Sequence, residues 1–171
     1  MILYTYIPTP IGNILYARKD GLAYRIMLPS KGKTPLPDPS WRTDDEKTAP
    51  GASEIHAYFK GETRKVSCSG LPEGTPFQQR IWNAALQIPY GRTVSYEDVA
   101  RAAGNPKACR AAGAALGANP LPIIIPCHRV IGKSGNLGGF SSGPDIKSYL
   151  IHLEQYHINP ASLSSSSHSF T

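Results

Sequence analysis

A chain of 171 residues has room for one ordinary domain or two small ones sharing an interface, which excludes a multi-domain machine or a long repeat array. Its 40% hydrophobic and 18% charged residues are the balance of a folded globular protein, and no apolar run approaches the roughly 18 residues that span a bilayer, so no membrane partner is expected. The formal charge of +6 is unevenly spread: 10 basic and 8 acidic side chains lie between Met1 and Thr75, but 8 and 4 between Pro76 and Gln155. The second part therefore suits a polyanionic partner. Cys68, Cys109 and Cys127 form an odd set without paired spacing, as in a reducing compartment. The opening MILYTYIPTPIG has no secretory n-region or h-region, so the expected location is cytoplasmic, or nuclear in a eukaryote.

In chain order, Ile2–Ile7, Asn13–Arg18 and Leu22–Leu28 are apolar and aromatic stretches separated by Thr-Pro-Ile-Gly and Lys-Asp-Gly. That pattern predicts an antiparallel β-meander. From Pro29 to Gly51, prolines at 29, 35, 37, 39 and 50 predict a mobile connection holding neither helix nor central strand. A short helix is expected over Ser53–Phe59, capped by Ser53, ended by Gly61 and covering the sheet.

The pattern turns helical after a linker at 71–75. Phe77, Ile81, Ala84, Ala85 and Ile88 recur at three- and four-residue spacing before Pro89, the stripe of an amphipathic helix. Ser95 and Asp98 form a capping box for a helix to about Ala103, and Pro106 is the expected first residue of another running to about Leu116. Joined at Gly104-Asn105, the two make a helix-turn-helix candidate. The second is small on all sides, with Arg110 as the one long side chain in its middle, and on its own this pattern also fits an alanine-rich packed helix. Ile123–Ile125 reads as a buried strand, followed by Cys127-His128-Arg129, the glycine-rich stretch 132–143 and a helix over Asp145–Tyr156 that carries Glu154 near its end. The serine-rich terminus is expected to be disordered. The predicted class is α+β, divided into an N-terminal unit 1–70, a linker 71–75, a C-terminal unit 76–156 and a tail 157–171.

Cys127 lies where a rigid element must turn, beside His128, the side chain that takes a proton near neutral pH. A thiol with an unperturbed pKa of about 8.5 is mostly protonated at pH 7 and needs a nearby base or helix N-terminus to react. Neighbours along a strand point to opposite faces, so a bound water would have to complete the link. The dipeptide alone fits an inert buried cysteine as well as a nucleophile.

Pro126-Cys127-His128-Arg129-Val130 resembles the signature of the O6-alkylguanine-DNA alkyltransferase family. The resemblance extends through Gly74-Thr75-x-Phe77-Gln78, Trp82, Ile88-Pro89-x-Gly91-x-Thr93-x-Ser95-Tyr96, Ala108-x-Arg110-Ala111-x-Gly113, Asn119-Pro120, Gly138-Gly139-Phe140 and Lys147-x-x-Leu150. It covers about Gly74 to Glu154 continuously, and the first 70 residues more loosely through Thr9-Pro10-Ile11-Gly12 and Tyr58-Phe59-x-Gly61-Glu62.

The resemblance implies a ribonuclease H-like antiparallel sheet with a covering helix, then a helical domain whose winged-helix-like helix-turn-helix binds the minor groove of double-stranded DNA as a monomer. It implies that Arg110 fills the stack when the damaged nucleotide rotates out, and that Ala111 and Gly113 let the helix approach the groove. Tyr96 would rotate the phosphate backbone and protonate the departing guanine, and Asn119 would order the turn before the active-site strand. Cys127 would be the alkyl acceptor, with His128 acting through a water and oriented by Glu154. The backbones of Cys127 and Val130 would read the guanine edge and Ser141 would donate to O6. Phe140 stands where many members have tyrosine, which leaves ring packing without a hydroxyl.

No cofactor is implied. Only Cys68 and His56 are available in residues 1–75 for the structural zinc of some members, so no metal is expected. Cys68 and Cys109 are expected to be inert. Two other readings carry part of the pattern: a lesion-binding alkyltransferase-like protein without transfer, and a Cys-His-Glu thiol hydrolase.

Overall fold

The computed structural model describes residues 1–67 and 69–162. The expected meander forms as β1 (Ile2–Thr9), β2 (Gly12–Lys19) and β3 (Leu22–Met27), each strand antiparallel to the next. A fourth strand, β4 (Arg42–Thr43), pairs parallel to β1, so the sheet is mixed, in the order β3-β2-β1-β4.

The proline-rich connection is shorter than expected. Helix α1 spans Asp45–Phe59, eight residues before Ser53. Asp44 caps it by accepting from Lys47 N at 2.9 Å, and Asp45 and Glu46 place negative charge in its first turn. Both favour a helix start strongly enough to carry Pro50, whose missing N–H forfeits one backbone bond. The next residue, Gly51, lets the helix lie directly on Tyr16, since a Cβ there would collide with the Tyr16 ring and hydroxyl. Ile55, Tyr58 and Phe59 are buried.

The second half opens with α2 (Pro76–Leu86), set by a capping box between Thr75 and Gln78. Ser95 and Asp98 form the expected box at the start of α3 (Tyr96–Ala102). Boxes of this kind stabilise a helix start by about 1 kcal/mol. The following helix, α4 (Cys109–Gly117), begins three residues later than expected, because Ala108 N donates to Asn105 O at 3.0 Å and closes a turn through Pro106. Arg110 therefore stands in the first turn of α4, at its exposed end. Trp82, 1% exposed, donates Nε1–H to Ala115 O at 2.8 Å and locks α2 to α4.

Ile123–Ile125 is not a strand. Prolines 122 and 126 confine the run, Ile123 adopts φ +75°, and the segment closes as a tight loop in which Ile125 N donates to Leu121 O at 2.8 Å. The side chain of Asn119 staples both ends, accepting from Leu121 N and donating to Ile125 O, each at 2.9 Å. A β-branched residue at positive φ is a costly conformation that persists only where its surroundings fix it. The chain then turns through a 3-10 helix at Cys127–Arg129 into β6 (Val130–Ile131), which pairs parallel with β5 (Val94–Ser95). This two-residue ladder brings the start of α3 beside the Cys127 turn. Helix α5 (Pro144–Ile158) packs across that turn, and a 3-10 turn at Pro160–Ser162 follows, so regular structure continues past 156. The rest of the serine-rich tail and Cys68 lie outside the described residues.

One apolar core runs from Ile14 and Tyr16 of the sheet through Ile55 to Ile81, Ile125 and Leu150. Among the described residues no helix is long and apolar enough to cross a membrane.

Candidate active site

The Cys127–Arg129 turn sits between two different environments. On one side is a cavity of about 570 Å³, lined by Cys127, by Tyr96 of α3, by Arg110 and Gly113 of α4, by Asn119 and by Phe140 and Ser141 of the glycine-rich loop. On the other side lies a buried cluster of polar and charged side chains centred on Glu154 of α5.

Cys127 is 7% exposed at the foot of the cavity. Its Sγ accepts from Asn119 Nδ2 at 3.2 Å, so the residue that staples the Ile123 loop also touches the thiol. Burial pushes the Cys127 thiol up, while the Asn119 N–H and the nearby Lys147 ammonium pull it back. The resting group is therefore a thiol whose anion already has a donor and a positive charge close by.

Glu154, 1% exposed, receives five donors. His128 Nε2 lies 2.7 Å from Oε1, Tyr58 OH donates to the same oxygen at 2.7 Å, and Arg129 donates Nη2–H there at 3.0 Å. Arg129 Nε–H and the Gly91 N–H both donate to Oε2 at 2.9 Å. Burial alone would raise the Glu154 carboxyl, but His128 and Arg129 overcome it and hold the group at about 2. Because the carboxylate is ionised, Nε2 of His128 carries the hydrogen that it shares with Glu154, which leaves the Nδ1 lone pair free. Nδ1 is buried and has no hydrogen-bond partner. Burial pushes the His128 pKa down, partly offset by Glu154, so the ring is neutral at pH 7 and able to accept a proton.

The remaining expected residues divide between the two environments. Tyr96 is half-buried in the cavity wall, where its hydroxyl accepts from Lys147 Nζ at 3.4 Å and donates to Gly139 O at 3.5 Å. Burial raises its pKa, so it remains a phenol and a donor. Arg110 is exposed at the cavity mouth, and Ala111 beside it is exposed but outside the lining. Val130 does not line the cavity. Its N–H donates to Cys127 O, and its carbonyl accepts from Lys147 Nζ at 2.6 Å.

Comparison with known proteins identifies the family. Residues 76–156 match the family model described as 6-O-methylguanine DNA methyltransferase, DNA binding domain. The chain is 45% identical over 152 residues to the methylated-DNA--protein-cysteine methyltransferase of Methanosarcina acetivorans, covering 88% of this chain and 97% of that one. It is 38% identical to the constitutive methylated-DNA--protein-cysteine methyltransferase of Bacillus subtilis, covering 91% and 96%. The crystal structure of Mycobacterium tuberculosis OGT in complex with DNA superposes with a TM-score of 0.82 at 37% identity, covering 91% of this chain and 94% of that one. The chain belongs to the methylated-DNA–protein-cysteine methyltransferase family.

Three residues of the site had no role from the sequence alone. Arg129 and Lys147 stood inside the family motifs, and a signal existed in the rarity of buried cations, but burial shows only in the fold. Arg129 also donates Nη1–H to Ile88 O at 2.7 Å, and Lys147 is 1% exposed. Tyr58 falls on the covering helix expected over Ser53–Phe59, and nothing local marks its hydroxyl as reaching a residue 96 positions away. Among the described residues no group of three or more His, Cys, Asp or Glu is placed to hold a metal ion.

Proposed function

We infer that this protein repairs DNA by taking the alkyl group of an O6-alkylguanine onto its own Cys127, in one irreversible turnover. The observation that carries the reading is the Cys127 thiol at the foot of the cavity, backed by a neutral histidine that a carboxylate orients, whereas Cys109 lines the same cavity from the start of α4 without such a base beside it. Family membership supports the same reaction, and the DNA complex of the M. tuberculosis relative supports DNA as the partner.

His128 takes the thiol proton at Nδ1, relayed by a water, while Glu154 holds Nε2–H and stabilises the ring as it becomes charged. Asn119 and Lys147 stabilise the sulfur anion. The Cys127 sulfur attacks the alkyl carbon in line, the S–C bond forms, the C–O6 bond breaks, and its electron pair stays on the guanine. Tyr96 gives the departing base its proton, and Ser141 donates to O6. Phe140 packs against the base. A thioether is not hydrolysed in water, so the protein is consumed.

Reaching the thiol requires the nucleotide to leave the duplex, at a cost of a few kcal/mol. Arg110 fills the space left behind, and the small face of α4 around Ala111 and Gly113 enters the minor groove. In this reading residues 76–156 form the winged-helix-like DNA-binding unit and residues 1–70 a ribonuclease H-like unit behind it, joined by 71–75. A monomer suffices, acting in the compartment that holds the DNA.

Intact mass after incubation with an O6-methylguanine duplex tests this. One methyl group per protein and a plateau at one equivalent, whatever the excess of duplex, is the expected result. Continued product formation would instead mark a thiol hydrolase, and binding without a mass change would mark a lesion sensor.

A further inference from the structure

The five donors on Glu154 do not all come from the half of the chain that carries the cysteine. Tyr58, in the last turn of α1, is the contribution of the N-terminal unit. It is 1% exposed, and a phenylalanine there would fill the same space, as Phe59 does beside it at 5.4 Å between ring centroids. A buried hydroxyl is costly unless it is paired. This one is paired with the oxygen that His128 uses, and it also lies 3.4 Å from His128 Nε2.

The approach of α1 is itself fixed. Just past its end, Gly61 takes φ +73° and faces the His157 ring of α5, where an added Cβ would lie 2.6 Å from the imidazole. A side chain at this positive φ would be strained and would have to push the His157 ring aside, so glycine favours the close approach of α1 to the helix that carries Glu154.

We propose that Tyr58 is a positioning residue for the transfer reaction, its hydroxyl pinning the Glu154 oxygen that orients His128, so that the N-terminal sheet and helix hold the base in register. The inference rests on the alkyl-transfer reading above.

The other groups facing the His128–Glu154 pair are accounted for. Arg129 and Cys127 flank it on the same turn, Lys147 faces it from α5, and Gly91 N–H and Tyr90 face it from the loop after α2. Tyr90 is engaged with His157 Nδ1 at 3.0 Å and lies under Arg64 and Arg129. Burial and the Glu154 charge hold the Tyr58 phenol well above its ordinary range, so it donates at every working pH. Its O–H withdraws charge from Glu154. Without it, the carboxylate attracts the protonated imidazole more strongly, and His128 becomes easier to protonate. The 3.4 Å contact to Nε2 acts in the opposite sense but is too long to prevail.

The test is the single-turnover rate of alkylation by an O6-methylguanine duplex, followed by intact mass from acid to neutral pH. Tyr58→Phe should lower the neutral plateau by about tenfold and move the acid limb upward by about half a pH unit, with duplex affinity unchanged. Gly61→Ala, which withdraws the hydroxyl without deleting it, should move the limb the same way and keeps the question open to measurement if Tyr58→Phe does not fold. Ile55→Val removes a buried methyl from the same helix; it should lower Tm and leave the profile on that of the wild type. A wild type that gains one methyl, with Tyr58→Phe and Gly61→Ala profiles overlaying it, would overturn the proposal alone. A wild type that gains none would overturn the function and the proposal together.

Discussion

The two sides of the Cys127 turn are built to opposite specifications. Behind it, Tyr58, His128, Arg129 and Glu154 are each less than 10% exposed, and one carboxylate collects five donors from α1, the 3-10 turn and the loop after α2. In front, Arg110 and Ser141 are exposed, Tyr96 and Phe140 are half-buried, and the loop carrying Phe140 and Ser141 is rich in glycine. The buried side fixes proton affinities before any ligand arrives, which is where preorganisation is most effective. The open side is left free to shape itself around a flipped base. Substitutions behind the cysteine should therefore cost stability and rate together, whereas those in front should separate the two.

The largest effect should come where the sides meet. Cys127→Ser places a hydroxyl, barely ionised at neutral pH, where the thiol stood, and transfer should drop by at least about a thousandfold. Duplex affinity, measured by fluorescence anisotropy, should hardly change. Residual transfer near the wild-type rate would move the nucleophile elsewhere and dissolve the comparison.

Glu154→Gln probes the buried side. It leaves the Arg129 guanidinium without its counter-charge, a change that costs about 3–5 kcal/mol for a buried pair, and it weakens the base by about 10- to 100-fold. Denaturant unfolding and alkylation rates would measure the two losses.

The pH dependence of Tm sharpens the assignment. Burial sets the folded pKa of His128 below 6.5, so only the unfolded chain gains that proton at first, and stability should fall as pH drops below about 6.5. The Glu154 carboxyl is held at about 2 against 4.5, so its contribution is present above 4.5 and is lost as pH falls from there towards 2. Glu154→Gln should flatten that lower section and keep the upper one. The exposed carboxyls of Glu97 and Asp98 act in the same sense, but solvent screens them.

The two sides also differed in how legible they were. Local signals place the front's elements, the Ser95–Asp98 box ahead of Tyr96 and the small helix around Arg110, but the roles expected of Tyr96, Arg110 and Asn119 come from the family resemblance alone. Of the back, the resemblance implies the His128–Glu154 pair, whereas the donors Tyr58 and Arg129 on that carboxylate show only in the fold. Glu154 meets Tyr58 across 96 positions, and no local periodicity distinguishes a phenol that packs from one that donates. Ile123–Ile125 misled for a related reason. Three β-branched residues favour a strand, but two prolines and the amide of Asn119 impose a loop, and side-chain staples of that kind leave no periodic trace. The prolines through Pro50 argue for a connection up to Gly51 and a helix start at Ser53, whereas in the structure the Asp44 cap and the acidic first turn carry α1 through Pro50.

Arg110→Ala probes the front. The side chain is exposed, so stability should stay within about 0.5 kcal/mol. Repair of an O6-methylguanine duplex should slow by about tenfold or more, a part of the cost of opening the stack, while reaction with a free O6-alkylguanine base should be unchanged. Equal loss on both substrates would make Arg110 part of the fixed half and erase the contrast.

The smallest effect gives the finest test of that contrast. Gly113 lies inside α4, where glycine is less favourable than alanine by roughly 0.5–1 kcal/mol. Space does not require it: a Cβ there would meet only the Tyr96 ring, at 3.7 Å, an ordinary contact. Its backbone angle does not require it either, since it is absent from the positive-φ residues. If the front face is kept small for close approach to a groove, Gly113→Ala should raise Tm by a few degrees and weaken duplex binding, leaving reaction with the free base intact. A variant both more stable and equally tight on DNA would show that the small face of α4 serves packing alone, and the open side would then consist of the cavity and its loop without the helix.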